Sequence, residues 1–141
     1  MTNKDDYGET PLMHACSYGH TEIVTALIEG GANINAEDNE GGRTPLMLAC
    51  SKGHTEIVTA LIEGGANVNA EDNEGGRTPL MYACTEGHTE IVTALLEGGA
   101  NVNAEDNEVG RTPLMHACSY GHTEIVTALI KAGAKTNQGD V

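Results

Sequence analysis

Four cysteines and four histidines recur in step along the chain: Cys16, Cys50, Cys84 and Cys118, then His20, His54, His88 and His122. Thiolate and imidazole are the ligands of zinc, and a thiol beside an imidazole is the pairing of a cysteine nucleophile with its base. Two more histidines, His14 and His116, complete the set of six. The spacing speaks against both chemistries. Successive members of each series stand 34 residues apart, so no two of these cysteines and no two of these histidines share a turn of helix, as close metal-ligand pairs do. A catalytic pocket is one asymmetric arrangement, whereas each Cys–His relation here is repeated four times. That is the pattern of a scaffold, and no catalytic, metal or cofactor residue is expected. Disulfides between neighbouring units are disfavoured, because stacked helices lie ~8–10 Å apart and a disulfide needs Cα atoms within ~7 Å. The cysteines are expected to be reduced and buried as small apolar fillers. Gly30-Gly31 and Gly41-Gly42 lack the lysine and the strand–helix setting of a phosphate loop. The acidic trios Glu37-Asp38-Glu40, Glu71-Asp72-Glu74 and Glu105-Asp106-Glu108 lack calcium-loop order and read as a solvated edge.

The elements that hold these residues repeat with the same step. TPLMHAC at Thr10–Cys16 returns as TPLMLAC, TPLMYAC and again TPLMHAC at Thr44, Thr78 and Thr112. The units Thr10–Arg43 and Thr44–Arg77 differ at only three positions, so a stacked repeat architecture has to be considered first. Within a unit, Thr10 is placed to cap a helix that Pro11 begins. Leu12, Met13, Ala15 and Cys16 give it an apolar face, and Gly19 ends it. Thr21 is expected to cap a second helix with Ile23, Val24, Leu27 and Ile28 on one side. Gly30-Gly31 stops that helix, and ANINAEDNEGGR follows as an extended, hairpin-like loop. One domain over 1–141 is expected, with units at approximately 3–36, 37–70, 71–104 and 105–137. Each unit alone is too small to bury its apolar face, and stacking creates a continuous core.

Composition narrows the function classes. The chain has no Trp or Phe and only four Tyr, so its core is aliphatic. A net charge of −14 argues against binding nucleic acid or anionic membranes, which call for a basic face. No apolar run is long enough to span a bilayer. MTNKDDYGET has no secretory-signal pattern, which makes a cytoplasmic setting the expectation.

A 34-residue helical period also suits the tetratricopeptide repeat, but that pattern wants large aromatics that this chain lacks. The phrase TPLMxAC…GHTEIVTALIEGGANVNA instead closely resembles the ankyrin repeat, over Asn3 to about Asn137. The resemblance implies an all-α repeat solenoid of four stacked helix-turn-helix units with β-hairpin-like loops, and a non-enzymatic protein-binding role. Two departures stand out. The family's His after Thr-Pro-Leu is Met13, Met47, Met81 and Met115 here, which removes a polar tie and substitutes an adaptable apolar filler. The period exceeds the family's usual 33 by one, and the additional residue is placed in Glu40-Gly41-Gly42 and its equivalents.

Differences between units cluster. The fifth letter of the motif reads His14, Leu48, Tyr82, His116, and four residues on come Tyr18, Lys52, Glu86, Tyr120. Residues four apart share a helix face. Two loop positions also vary: Tyr7, Gly41, Gly75, Val109, and Glu9, Arg43, Arg77, Arg111. All four Tyr fall on these positions. The resemblance implies that they line the concave groove and the hairpin fingers, and Tyr is a favoured interface anchor. The expected partner-binding set is thus Tyr7, His14, Tyr18, Arg43, Leu48, Lys52, Arg77, Tyr82, Glu86, Val109, Arg111, His116 and Tyr120, facing a protein or peptide. The same positions also suit plain exposed drift. Near-identical units point to a consensus-style engineered chain or a recent duplication, and the clustering favours the former. Outer faces of repeat arrays normally carry polar substitutions. Here Ile23, Leu27, Leu114 and Ile130 are kept, and only Lys131, Lys135, Thr136 and Gln138 look like a partial cap. End-to-end self-association is therefore the second expectation.

Overall fold

A computed structural model describes residues 4–136; Gln138 and Asn137 lie outside them. Among the described residues there are eight helices and no strand. They pair as α1 (Pro11–Tyr18) with α2 (Thr21–Glu29), α3 (Pro45–Lys52) with α4 (Thr55–Glu63), α5 (Pro79–Glu86) with α6 (Thr89–Glu97), and α7 (Pro113–Ser119) with α8 (Thr123–Lys131). The two helices of a unit pack on each other, and between adjacent units first helices pack on first helices and second on second. The result is an all-α solenoid two helices deep.

Local chemistry explains the elements. The Thr10, Thr44, Thr78 and Thr112 hydroxyls each accept from the N–H three residues on, with Pro next in line. The first three short helices end at Gly19, Gly53 and Gly87, all at positive φ. The second helices depart from expectation. Thr21 and its equivalents lie inside the helix, and His20, His54, His88 and His122 hold the cap place without a side-chain cap bond. These rings serve another end. Nε2 of His54, His88 and His122 lies 3.2–3.3 Å from the Ser17, Ser51 and Thr85 carbonyls of the preceding unit, in the last turn of a helix where carbonyls lack intrahelical partners.

Leu46, Leu80, Ile57, Ile91, Ile125, Leu61, Leu95 and Leu129 fill the space between helix layers and are buried to the last per cent. Burying such a side chain stabilises by roughly 1.5–3 kcal/mol. Met13, Met47 and Met81 are fully buried, the apolar filler that the Thr-Pro-Leu-Met motif promised. Polar ties between units come from elsewhere. The Asn35 carbonyl oxygen accepts from Asn67 N at 2.8 Å and its amide faces Gly65 O at 3.5 Å. Asn69 and Asn103 repeat the arrangement one unit along.

Gly87 shows how tightly the units fit. Its φ is +81, and a Cβ there would stand 2.6 Å from Cε1 of the His122 ring. Gly99, at φ +97, has nothing within 4 Å. Gly99→Ala is expected to cost about 1 kcal/mol from backbone strain alone. Gly87→Ala also displaces His122 from Thr85 and is expected to cost about 2 kcal/mol. Urea melts of the two variants check the difference.

Candidate functional site

The second, third and fourth fingers each close on one buried carboxylate, Asp38, Asp72 or Asp106, and the first on the exposed Asp5. Asp38 accepts from Arg43 N at 2.8 Å and from Arg43 Nε at 2.9 Å. Asp72 and Asp106 hold Arg77 and Arg111 in the same way. Successive fingers are joined by backbone bonds from Asn39 N to Tyr7 O, Asn73 N to Gly41 O and Asn107 N to Gly75 O. The first finger closes from Asp5 N to Glu9 O, the second from Asp38 N to Arg43 O. The additional residue therefore does sit at the tip of the later fingers. Asp38, Asp72 and Asp106 were not singled out as individual site residues by sequence, where they read as part of a solvated edge. The signal was present: an Asp five residues before each Arg.

The fifth letter stands over this carboxylate. His14 Nε2 is 2.9 Å from Asp5 Oδ2. The Tyr82 hydroxyl donates to Asp72 Oδ2 at 2.5 Å, and the Arg77 guanidinium lies 5.1 Å from its ring centre. Burial and then the Asp72 carboxylate push the Tyr82 phenol well above its usual range. His116 Nε2 is 3.4 Å from Asp106 Oδ2 without hydrogen-bond geometry, and it has no other partner among the described residues.

The expected outward-facing fifth letter is therefore corrected at two places. Leu48 is only 6% exposed and clusters with Met13 and Ala36. His116 is 7% exposed. Each turns toward the finger base and becomes part of the framework, while Tyr82 is half-buried and His14 exposed. The position four residues on behaves as expected. Tyr18 and Tyr120 are 72% and 60% exposed, and Lys52 and Glu86 are exposed between them. Tyr7 and Val109 are exposed at finger tips. Arg43, Arg77 and Arg111 are partly exposed, with Nε engaged by Asp.

Two charged groups here set a pH response. Desolvation first, then the Arg111 charge, lowers the His116 pKa below its ordinary 6.5, and Asp106 only partly offsets them. The folded chain thus resists a proton that the unfolded chain accepts. The contribution is complete above about pH 6.5 and is lost as pH falls. Burial would raise Asp106, but the Arg111 and Val109 N–H groups and the Arg111 guanidinium outweigh it and hold the carboxyl below 3.8. That contribution is lost only as pH falls through the carboxylate range. His116→Gln is expected to flatten stability between pH 7 and about 5 and to leave the acid limb unchanged. Denaturant melts across pH check it.

The cysteines split. Cys16, Cys50 and Cys84 are buried, and burial raises their thiols, Cys16 and Cys84 to about 12. Cys118 is exposed, a correction to the uniform burial expected of the four, because among the described residues no further helix layer covers α7. Asp5, Glu9 and His14 are one group of possible metal ligands, with their ligand atoms within 4.8 Å of one another. They already bond among themselves on an exposed surface. Among the described residues no helix is long and apolar enough to cross a membrane.

A family profile described as ankyrin repeats (3 copies) matches residues 1–72 and 65–140. The chain belongs to the ankyrin-repeat family. A putative ankyrin repeat protein of Rickettsia bellii (strain RML369-C) is 59% identical over 32 residues, 23% of this chain. The match spans 10% of that protein. Ankyrin repeats are generally protein–protein interaction modules, which agrees with a surface whose variable positions lie beside a repeated framework.

Proposed function

We propose that this ankyrin-repeat chain is a non-enzymatic scaffold that takes a protein or peptide on the face formed by the first helices and the fingers. The observation that carries this reading is the exposed row Tyr18, Lys52, Glu86 and Tyr120, one residue per unit at one helical place. Two tyrosines supply contact area, and a cation and an anion select charge. Tyr7, Val109 and the outer nitrogens of Arg43, Arg77 and Arg111 extend the surface at the fingers. His14 adds an exposed imidazole at one end, and Tyr82 offers a ring edge. Leu48 and His116 support the surface from beneath. Near-identical units with most differences on this face favour a consensus-like, engineered origin, and the chain's thiols suit the cytoplasm.

The test is capture by immobilised wild type and by a variant with Tyr18, Lys52, Glu86 and Tyr120 all changed to Ala, each shown folded by circular dichroism. A ligand held by the first and lost by the second supports the reading. A ligand held equally by both sinks it, as does an empty profile for both. Leu48 and Tyr82 stay unchanged, because their loss would also disturb the fold.

A second reading is favoured by the outer faces. Ile23 is 51% and Met115 36% exposed, while Ile57 and Met81 at the same places are fully buried. Such faces suit a self-associating repeat module.

A further inference from the structure

We infer that two copies of this chain join head to tail, the fourth unit of one stacking on the first unit of the next as though the repeat continued. This rests on the self-association reading and specifies its interface. The two outer faces are the two halves of the junction that already occurs three times inside the molecule. On one side stand Met115, Cys118 and Val126, whose equivalents Met47, Cys50 and Val58 are fully buried by the unit that follows. On the other side stand Pro11, Ile23 and Leu27, whose equivalents Pro45, Ile57 and Leu61 are buried by the unit that precedes. Identical side chains in an identical register reproduce a known interface.

The places where the outer units depart from the inner ones complement one another across such a junction. Inside the molecule the position four residues after the fifth letter sets Lys52 and Glu86 in adjacent units; at the junction it sets Tyr120 beside Tyr18 of the next copy. The finger tips bring exposed Val109 beside exposed Tyr7 of the next copy, where the inner fingers have Gly41 and Gly75. The run Glu29, Glu63, Glu97 ends in Lys131, which would meet Glu29 of the next copy. Arg111 would meet Glu9 of the next copy at the place where Arg43 stands 3.9 Å from Glu9, with the order of the two charges exchanged. His20, which has no preceding carbonyl here, would reach the end of α7 as His54 reaches Ser17. Aromatic or apolar side chains meet at Tyr120–Tyr18 and Val109–Tyr7, and cation meets anion at Lys131–Glu29 and Arg111–Glu9, while the fifth letter sets His116 beside His14. A heterologous contact of this kind leaves both outer faces available for further copies and extends into an open filament wherever its rotation does not close a ring. The net charge of −14 opposes the contact, and added salt screens that repulsion.

The test uses the full chain and two single-face variants, Met115→Glu and Ile23→Glu, both at exposed positions and both checked by circular dichroism. Sedimentation velocity follows mass against protein and salt concentration, and a thiol reagent follows Cys118. Wild type is expected to grow past the dimer at high salt, with Cys118 labelling slowed about tenfold as the next copy covers it. Each variant alone is expected to stay monomeric, and their equimolar mixture to stop at a heterodimer. A wild type that associates while either variant still forms homodimers would overturn the head-to-tail junction and leave self-association standing. A wild type that is monomeric throughout overturns both.

Discussion

Ile91→Ala is expected to lower stability by about 3–4 kcal/mol, while Ile23→Ala lowers it by less than about 1 kcal/mol. The two residues have the same type, the same helix position and the same immediate neighbours in sequence, TEIVTAL. Ile91 is fully buried beneath the preceding unit, and truncation leaves a cavity between two layers that cannot collapse without pulling the stack apart. Ile23 has no preceding unit among the described residues, so its truncation removes surface that water already reaches. Denaturant unfolding of the two variants at low protein concentration measures the difference. Equal losses would mean that the second helices are held by their own unit and not by the neighbour.

Asp72→Ala is expected to cost about 3 kcal/mol, more than Asp38→Ala. Asp72 answers the backbone and Nε donors of Arg77 and also the Tyr82 hydroxyl. Removing it strands a guanidinium and a half-buried phenol together. Asp38 also accepts three bonds, but with Leu48 in place of Tyr82 its third donor is the exposed Glu40 N–H at 3.3 Å, which water can satisfy once the carboxylate is gone. Tyr82→Phe tests the same bond from the other side and should cost about 1.5–2 kcal/mol, with little further loss when combined with Asp72→Ala. Additive losses in that double-mutant cycle would show that the 2.5 Å contact contributes nothing to the fold.

The helices were legible because their punctuation is local. Thr-Pro starts and Gly stops act within one turn, and the chain repeats them four times. The second-helix cap was misread because Thr21 is a better cap residue than His20 in isolation. The tie from His54 to the Ser17 carbonyl crosses 37 residues, and no local signal reports it. The groove was half legible. Tyr18, Lys52, Glu86 and Tyr120 point outward on helical geometry alone, but whether the fifth letter is free depends on the finger carboxylate beside it. That separates buried Leu48 and His116 from exposed His14. Cys118 differs from Cys84 in having no unit after it among the described residues, a fact of stacking and not of residue type.

The polar ties between units described above each join one unit to the next. The Asn35 bonds span 30 and 32 residues and the His54 contact 37. Among the described residues the main helix contacts lie within a unit or between adjacent units. Contact order is therefore fixed by the period and does not grow with chain length. Folding can nucleate on any adjacent pair and zip outward in either direction. Because no single closing contact completes the structure, excising or inserting one whole 34-residue period at a finger should preserve register. The number of units becomes a dial that sets total stability and the length of the binding face together.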